Sequence, residues 1–291
     1  MGILLGLLAA LFWGISDFLV RYAARLIGAY RTLLFMQFTG LVGLGIYLLV
    51  TGELIRLITI NTWQVWAWAG LVALLSTLSA LALYRSFEIG LLMVVSPITG
   101  SYAIVTVILS FLSGERISQL HTLGIVTILV GAICVATVFG QSVEKGKKES
   151  RSGLSRGVGW AILAALGFGT AFWILGFRVT PVLGGIVPAW LTHLIAPCVL
   201  ICCAPLARQS IRFPWGRVWW YLGVVSVLDT VAFVTYSFGL TLDQVAVVSV
   251  LGSLYSAVTV ILAWIFIRER LQWNQWLGIG VVFAGIVLVN I

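Results

Sequence analysis

The chain has 291 residues, of which 61% are hydrophobic and 9% charged, against about 25% charged in a soluble domain. That balance excludes a soluble globular protein and points to an integral membrane protein. The formal net charge of +8 does not indicate nucleic acid, because the Lys and Arg residues sit in short gaps between apolar runs, where membrane topology accounts for them.

Read in chain order, apolar stretches predict ten spans at residues 3–22, 30–50, 63–84, 91–112, 119–140, 157–178, 184–206, 217–239, 244–267 and 272–290. Each reaches the roughly 20 residues that hydrocarbon requires, with some tilt. The N-terminal run lacks a basic flank and has an internal counterpart, so it reads as a retained helix and not a cleaved signal. The longest polar stretch, residues 141–156 (QSVEKGKKESRSGLSR), has no apolar periodicity and reads as a basic linker between a first unit, 1–140, and a second, 157–291.

The two units repeat one another. GERISQLHTLGIVTILVGAICV at Gly114–Val135 returns as RERLQWNQWLGIGVVFAGIVLV at Arg268–Val289, placing Glu115 on Glu269 and Gly124 and Gly131 on Gly278 and Gly285. LLAALFWG at Leu7–Gly14 matches ILAALGFG at Ile162–Gly169, and VVSPITGSYAIVTVIL at Val94–Leu109 matches VVSVLGSLYSAVTVIL at Val247–Leu262. The second and seventh stretches match poorly. Five helices per unit is an odd number, so the copies enter the membrane from opposite sides. The expected fold is all-α, ten transmembrane helices in a 5+5 inverted-topology repeat, an architecture of secondary transporters.

Fourteen of the 17 Lys and Arg residues lie in odd-numbered connectors, and only Arg56, Arg116 and Arg178 in even ones. The positive-inside rule then places the odd connectors in the cytoplasm and both termini outside. Trp63, Trp66 and Trp68, and Trp215, Trp219 and Trp220, suit helix ends at the interface.

Ionisable residues within membrane helices are costly and face a cavity or a partner. Asp229, in VVSVLDTVAFV, is the strongest candidate to titrate, bind a cationic group or carry a proton; aligned through Tyr84 and Tyr236 it falls opposite Thr77, where the halves differ. His193 reads either as a hydrogen-bonded packing residue or as a proton-coupling group. Asp17 lies one helical turn before Arg21, so the two can pair, or Asp17 can serve a coupling site. Glu115 and Glu269 read as turn residues. The four cysteines lie inside apolar runs without metal-ligand spacing, and no cofactor or metal is expected.

The AALFWG entry, the E-R-I/L turn followed by Gly, and ten helices in two halves together resemble the EamA-type transporters of the drug/metabolite transporter superfamily, over nearly the whole chain. The resemblance implies a secondary transporter, often an exporter of amino acids or similar small metabolites, in the plasma or inner membrane with both termini in the cytoplasm, opposite to the charge count. It also implies a central cavity lined mostly by the first, third, fourth, sixth, eighth and ninth helices. Trp13, Trp173, Tyr84, Tyr102, Tyr236 and Tyr255 fall on those helices, and aromatic walls with a few polar groups suit small amphipathic solutes. Ser96 and Ser249 precede Pro97 and Gly252, where freed backbone groups must line a cavity or find partners, so the fourth and ninth helices are candidate gates. The expected partners are the lipid bilayer, a small-molecule substrate and protons. Two rival classes remain: a non-transporting scaffold or receptor, for which no soluble domain is evident, and a membrane enzyme, for which HExxH, GxSxG and a dense His/Asp cluster are all missing from the sequence.

Overall fold

The computed structural model describes residues 1–60, 62–90, 92–136, 157–214, 216–267 and 273–290, and among them every regular element is helical. The ten principal helices are α1 (Gly2–Ile27), α2 (Ala29–Thr51), α3 (Trp63–Ile89), α4 in two pieces (Leu92–Gly100 and Tyr102–Leu112), α5 (Gln119–Ala136), α6 (Val158–Ile174), α7 (Ile186–Cys203), α8 (Val218–Leu242), α9 in two pieces (Val245–Gly252 and Tyr255–Leu262) and α10 (Trp273–Asn290). Eight are long and apolar enough to cross a membrane; α5 and α10 carry shorter apolar runs, Gln119–Gly131 and Trp276–Leu288. Large apolar side chains such as Leu49, Leu78, Leu163 and Phe283 are exposed along the outside, which only lipid makes favourable. Trp63 and Trp220, near helix starts, are exposed too, as interfacial anchors are. Trp215 and the Glu269–Arg270 turn lie outside the described residues, as does the 141–156 linker.

Helix ends differ from expectation where charge follows the apolar run. α1 continues past Tyr22 to Ile27 and α3 past Tyr84 to Ile89, because their terminal charges find partners. Arg25 donates to the Gly90 carbonyl at 3.1 Å, and Glu88 accepts from the Ala29 N–H at 3.3 Å and pairs with Arg85 at 2.8 Å. A single residue, Gly28, reverses the chain between α1 and α2 with φ +86°, a backbone state that glycine adopts without strain. The helix Glu53–Ile60 was not anticipated; at eight residues it is too short for a span.

Contacts between connectors show the alternation of helix direction. The first connector meets the third through Arg25 and Gly90, and the seventh through Arg31 and the Arg212 carbonyl. The fourth meets the eighth through Gln244, whose amide donates to the Arg116 carbonyl at 2.8 Å. The first, third and seventh connectors thus gather together, and the fourth meets the eighth.

The halves interlock helix by helix. Thr259 in α9 donates to the Gly14 carbonyl in α1 at 3.2 Å, and its counterpart Thr106 in α4 donates to the Gly169 carbonyl in α6 at 3.0 Å. A Cβ on Gly14 would lie 2.9 Å from the Tyr255 carbonyl, and one on Gly169 would lie 2.7 Å from that of Tyr102. Both are closer than real side-chain contacts, so small residues set these approaches. The glycines shared by Gly114–Val135 and Arg268–Val289 do the same for α5 on α10: a Cβ on Gly131 would lie 2.8 Å from the Gly278 carbonyl, and one on Gly285 would lie 3.0 Å from that of Gly124. The other main interfaces, α1 on α8, α3 on α6 and α2 on α7, also join one half to the other.

Candidate functional site

Along α1, Trp13 and Asp17 are four residues apart and therefore share a face. That face meets α8, where Asp229 sits near the middle of the helix, and the Trp13 indole N–H donates to the Asp229 carboxylate at 3.2 Å. Both carboxylates open into one central cavity with Trp13, Tyr84, Tyr102, Phe172 and Tyr255. The cavity has a volume of about 70 Å³; at on the order of 10–15 Å³ per water by this measure, it holds roughly five waters.

Its walls differ in character. Trp13 and Asp17 on α1 and Asp229 on α8 form an acidic side. Opposite, α6 contributes Phe168 and Phe172, whose rings stack with centroids 5.5 Å apart. Phe172 also stacks on Trp13 at 5.7 Å and meets Tyr102 edge-on at 5.0 Å. Phe168 is the repeat counterpart of Trp13, and Phe172 that of Asp17, so a symmetric backbone carries a carboxylate on one side and a ring on the other. Among the described residues lining the cavity, none is Lys, Arg or His.

The broken helices α4 and α9 cross beside this site. Both are interrupted just before their tyrosine, at Ser101 and at Ser253–Leu254, and the two rings stack, Tyr102 on Tyr255, at 6.3 Å and 12°. The Tyr102 hydroxyl donates to the Ser249 carbonyl at 3.2 Å, while the Tyr236 hydroxyl and the Ser249 hydroxyl are 2.7 Å apart. The Ser249 carbonyl near the α9 break thus accepts from the other repeat, as a non-helical stretch at membrane depth demands.

His193 does not line the cavity; it stands behind Gln37, which does. Its Nδ1 bonds the Gln37 side-chain oxygen, and its Nε2 lies 3.1 Å from the Thr230 hydroxyl. A carbonyl oxygen only accepts, so Nδ1 carries the proton and Nε2 is left to accept from Thr230. Packing is close enough that a Cβ on Gly40 would lie 2.5 Å from Nε2.

Of the candidates read from sequence, Trp13, Asp17, Tyr84, Tyr102, Asp229 and Tyr255 line the cavity. His193, Tyr236 and Ser249 form a layer behind it. Ser96 is fully buried but does not line it, and its hydroxyl has no partner among the described residues. Trp173 is not brought in either: its indole N–H donates to Ser113 at 2.9 Å. One residue earlier on the same helix, Phe172 points inward, as the spacing from Phe168 requires. Gln37, Ser76 and Thr192 also line the cavity and were missed. Gln37 and Thr192 lie on α2 and α7, the helices on which the repeat is faintest, so internal comparison carried no signal for them. Asp17 faces the cavity. Glu115, by contrast, accepts from the Val245 N–H at 2.6 Å and the Ala246 N–H at 3.2 Å, capping the first turn of α9.

A model of the EamA-like transporter family matches residues 1–137 and again residues 155–291. A search of curated proteins finds no match. A solved crystal structure is similar over 99% of this chain and 96% of that one, with a TM-score of 0.72 at 16% identity, a likeness of fold.

Proposed function

The chain belongs to the EamA-like transporter family, a multi-pass membrane protein of the drug/metabolite transporter superfamily, and on that premise we propose that it is a secondary transporter for a small metabolite, working by alternating access in the plasma or inner membrane. The solute, an amino acid or a similar amphipathic molecule moved outward, binds in the cavity between α1, α8 and α6. The observation that carries this reading is the pair of carboxylates, Asp17 and Asp229, opening with aromatic rings into one cavity within the helix bundle. Such a cavity is where an inverted repeat places its solute, and a charge held at that depth is costly unless it serves a pathway.

Because α1 packs on α8 and α3 on α6, the bodies that rock are composed of helices from both repeats. The breaks in α4 and α9, with Pro97 and Gly252 beside them, supply the pliable points. Asp229 couples solute or proton to this motion, and Trp13 holds its carboxylate toward the cavity.

Reconstitution in proteoliposomes tests the reading. Wild-type protein should carry out gradient-driven solute flux. Asp229→Asn, close to the same shape without the charge, should lower that flux by at least about tenfold, the scale of one lost charge-assisted interaction, while eluting and melting like the wild type. Undiminished flux in that variant removes Asp229 from the mechanism.

A further inference from the structure

A second cavity lies apart from the first, at the end of the bundle where the first, third and seventh connectors meet. It is bounded by Tyr30 at the start of α2, Leu81, Arg85 and Glu88 on α3, Trp160 on α6 and Gln209 beyond α7. Its volume is about 400 Å³, within the roughly 300–1,000 Å³ of ligand pockets. Helix ends build it. Gly28 turns the chain from α1 into α2, and the Tyr30 hydroxyl donates to the Leu200 carbonyl of α7. A Cβ on Gly157 would lie 2.9 Å from the Ser86 carbonyl, so α6 starts hard against the last turns of α3.

This cavity is positive at the membrane surface and apolar below it. Arg85, Trp160 and Gln209 are exposed at its rim. Arg25 and Arg31 reach the third and seventh connectors, bonding the Gly90 and Arg212 carbonyls, which carry no net charge. Arg208 stands between the lining residues Ala207 and Gln209. Against these arginines, Glu88 is the one acidic side chain among the described residues of this end. Glu88 takes Arg85 Nη1 at 2.8 Å; a guanidinium has five donors, so it can hold a further oxygen anion at the same time. α3 runs toward this end and α6 away from it, so deeper in the bilayer Leu81 is followed by Leu78 and Trp160 by Leu163, each one turn on along the same face. Leu78 and Leu163 are exposed to lipid.

We propose that this cavity binds one acidic glycerophospholipid, its phosphate on the Arg85 guanidinium and an acyl chain passing over Leu81 and Trp160 onto Leu78 and Leu163. Basic pockets between membrane helices suit anionic lipid headgroups. A water-soluble anion would leave the apolar lower half of the site unfilled, and a zwitterionic lipid would bring an ammonium among the arginines. The site is separate from the central cavity and independent of the solute bound there.

Native mass spectrometry of the full-length protein in detergent tests this with three probes: dioleoylphosphatidylglycerol, dioleoylphosphatidylcholine and glycerol 3-phosphate. The first equivalent of phosphatidylglycerol should bind at least about tenfold tighter than phosphatidylcholine, and glycerol 3-phosphate should not displace it at equal concentration. Arg85→Gln should remove most of that preference. Gln209→Glu, which sets a negative charge at the exposed rim, should weaken phosphatidylglycerol several-fold. Arg56→Gln, on the short helix Glu53–Ile60 between α2 and α3, should leave it unchanged. Equal binding of the two lipids, or no bound phosphatidylglycerol, overturns the proposal. So does an unchanged preference in Arg85→Gln, or an equal loss in Arg56→Gln, since either makes the effect one of general surface charge. Displacement by glycerol 3-phosphate leaves an anion site and overturns its assignment to a lipid. Should Arg85→Gln fail to fold, Gln209→Glu decides in its place, and undiminished phosphatidylglycerol binding there overturns the site.

Discussion

At the scale of single residues, placement inside the bundle turns common side chains into specific tools. His193 would serve as a packing residue or a proton carrier equally well by its position in the sequence. Its two ring nitrogens are both committed, to Gln37 and Thr230, so its geometry is that of a bracket between α2, α7 and α8. Removing it leaves the buried Gln37 oxygen and the half-buried Thr230 hydroxyl unpaired, which costs about 1–3 kcal/mol. His193→Ala should therefore lower the melting temperature in detergent, and a double-mutant cycle with Gln37→Leu should show a coupling of about 1 kcal/mol or more. Additive effects would mean that the two side chains do not act together. Asp17 and Asp229 were legible as unusual residues because charge is rare in membrane helices. That they share one cavity was not legible, since nothing local records which helix packs on which.

At the scale of elements, the twice-written motif proves to be interface. Gly124, Gly131, Gly278 and Gly285 bring α5 against α10, and Glu115 reaches across to the second repeat to cap α9. The two N–H groups it accepts from belong to a helix start with few other partners, and its negative charge also complements the positive end of the helix dipole. Glu115→Ala should destabilise the protein by about 1 kcal/mol and speed hydrogen exchange at Val245 and Ala246 specifically. Uniform exchange rates along α9 in that variant would show that the cap contributes nothing. The boundaries of the helices were readable to within a few residues, because apolar length and glycine punctuation are local properties. The breaks in α4 and α9 were only partly readable: Pro97 and Gly252 marked pliable segments, and the interruptions fall four residues after Pro97, at Ser101, and directly after Gly252, at Ser253–Leu254.

At the scale of the whole molecule, the repeats are not separate lobes. α1 rests on α8 and α9, α6 on α3 and α4, and α2 on α7, so each repeat lacks its own packing partners when alone. Expressed separately, residues 1–140 and 157–291 should each be degraded or aggregated, while co-expression should restore a folded, co-purifying pair without the intervening residues 141–156, which their composition alone reads as a linker. Independent stability of either piece would contradict the interlocked packing.

Composition, apolar run length and the odd helix count of each repeat were enough to determine that this is an α-helical membrane protein of two inverted repeats, because hydrocarbon imposes its length and hydrogen-bonding demands on each segment by itself. The repeat also pointed to Tyr102, Tyr255 and Asp229. Only the tertiary structure decided that Asp17 opens beside Asp229, that Phe172 and not Trp173 completes the aromatic wall, and that Gln37 lines the cavity with His193 behind it. These depend on helical phase and on which helices cross. Backbone symmetry of the fold is written in the repeat, but the asymmetric site arises from side chains of both repeats meeting across it.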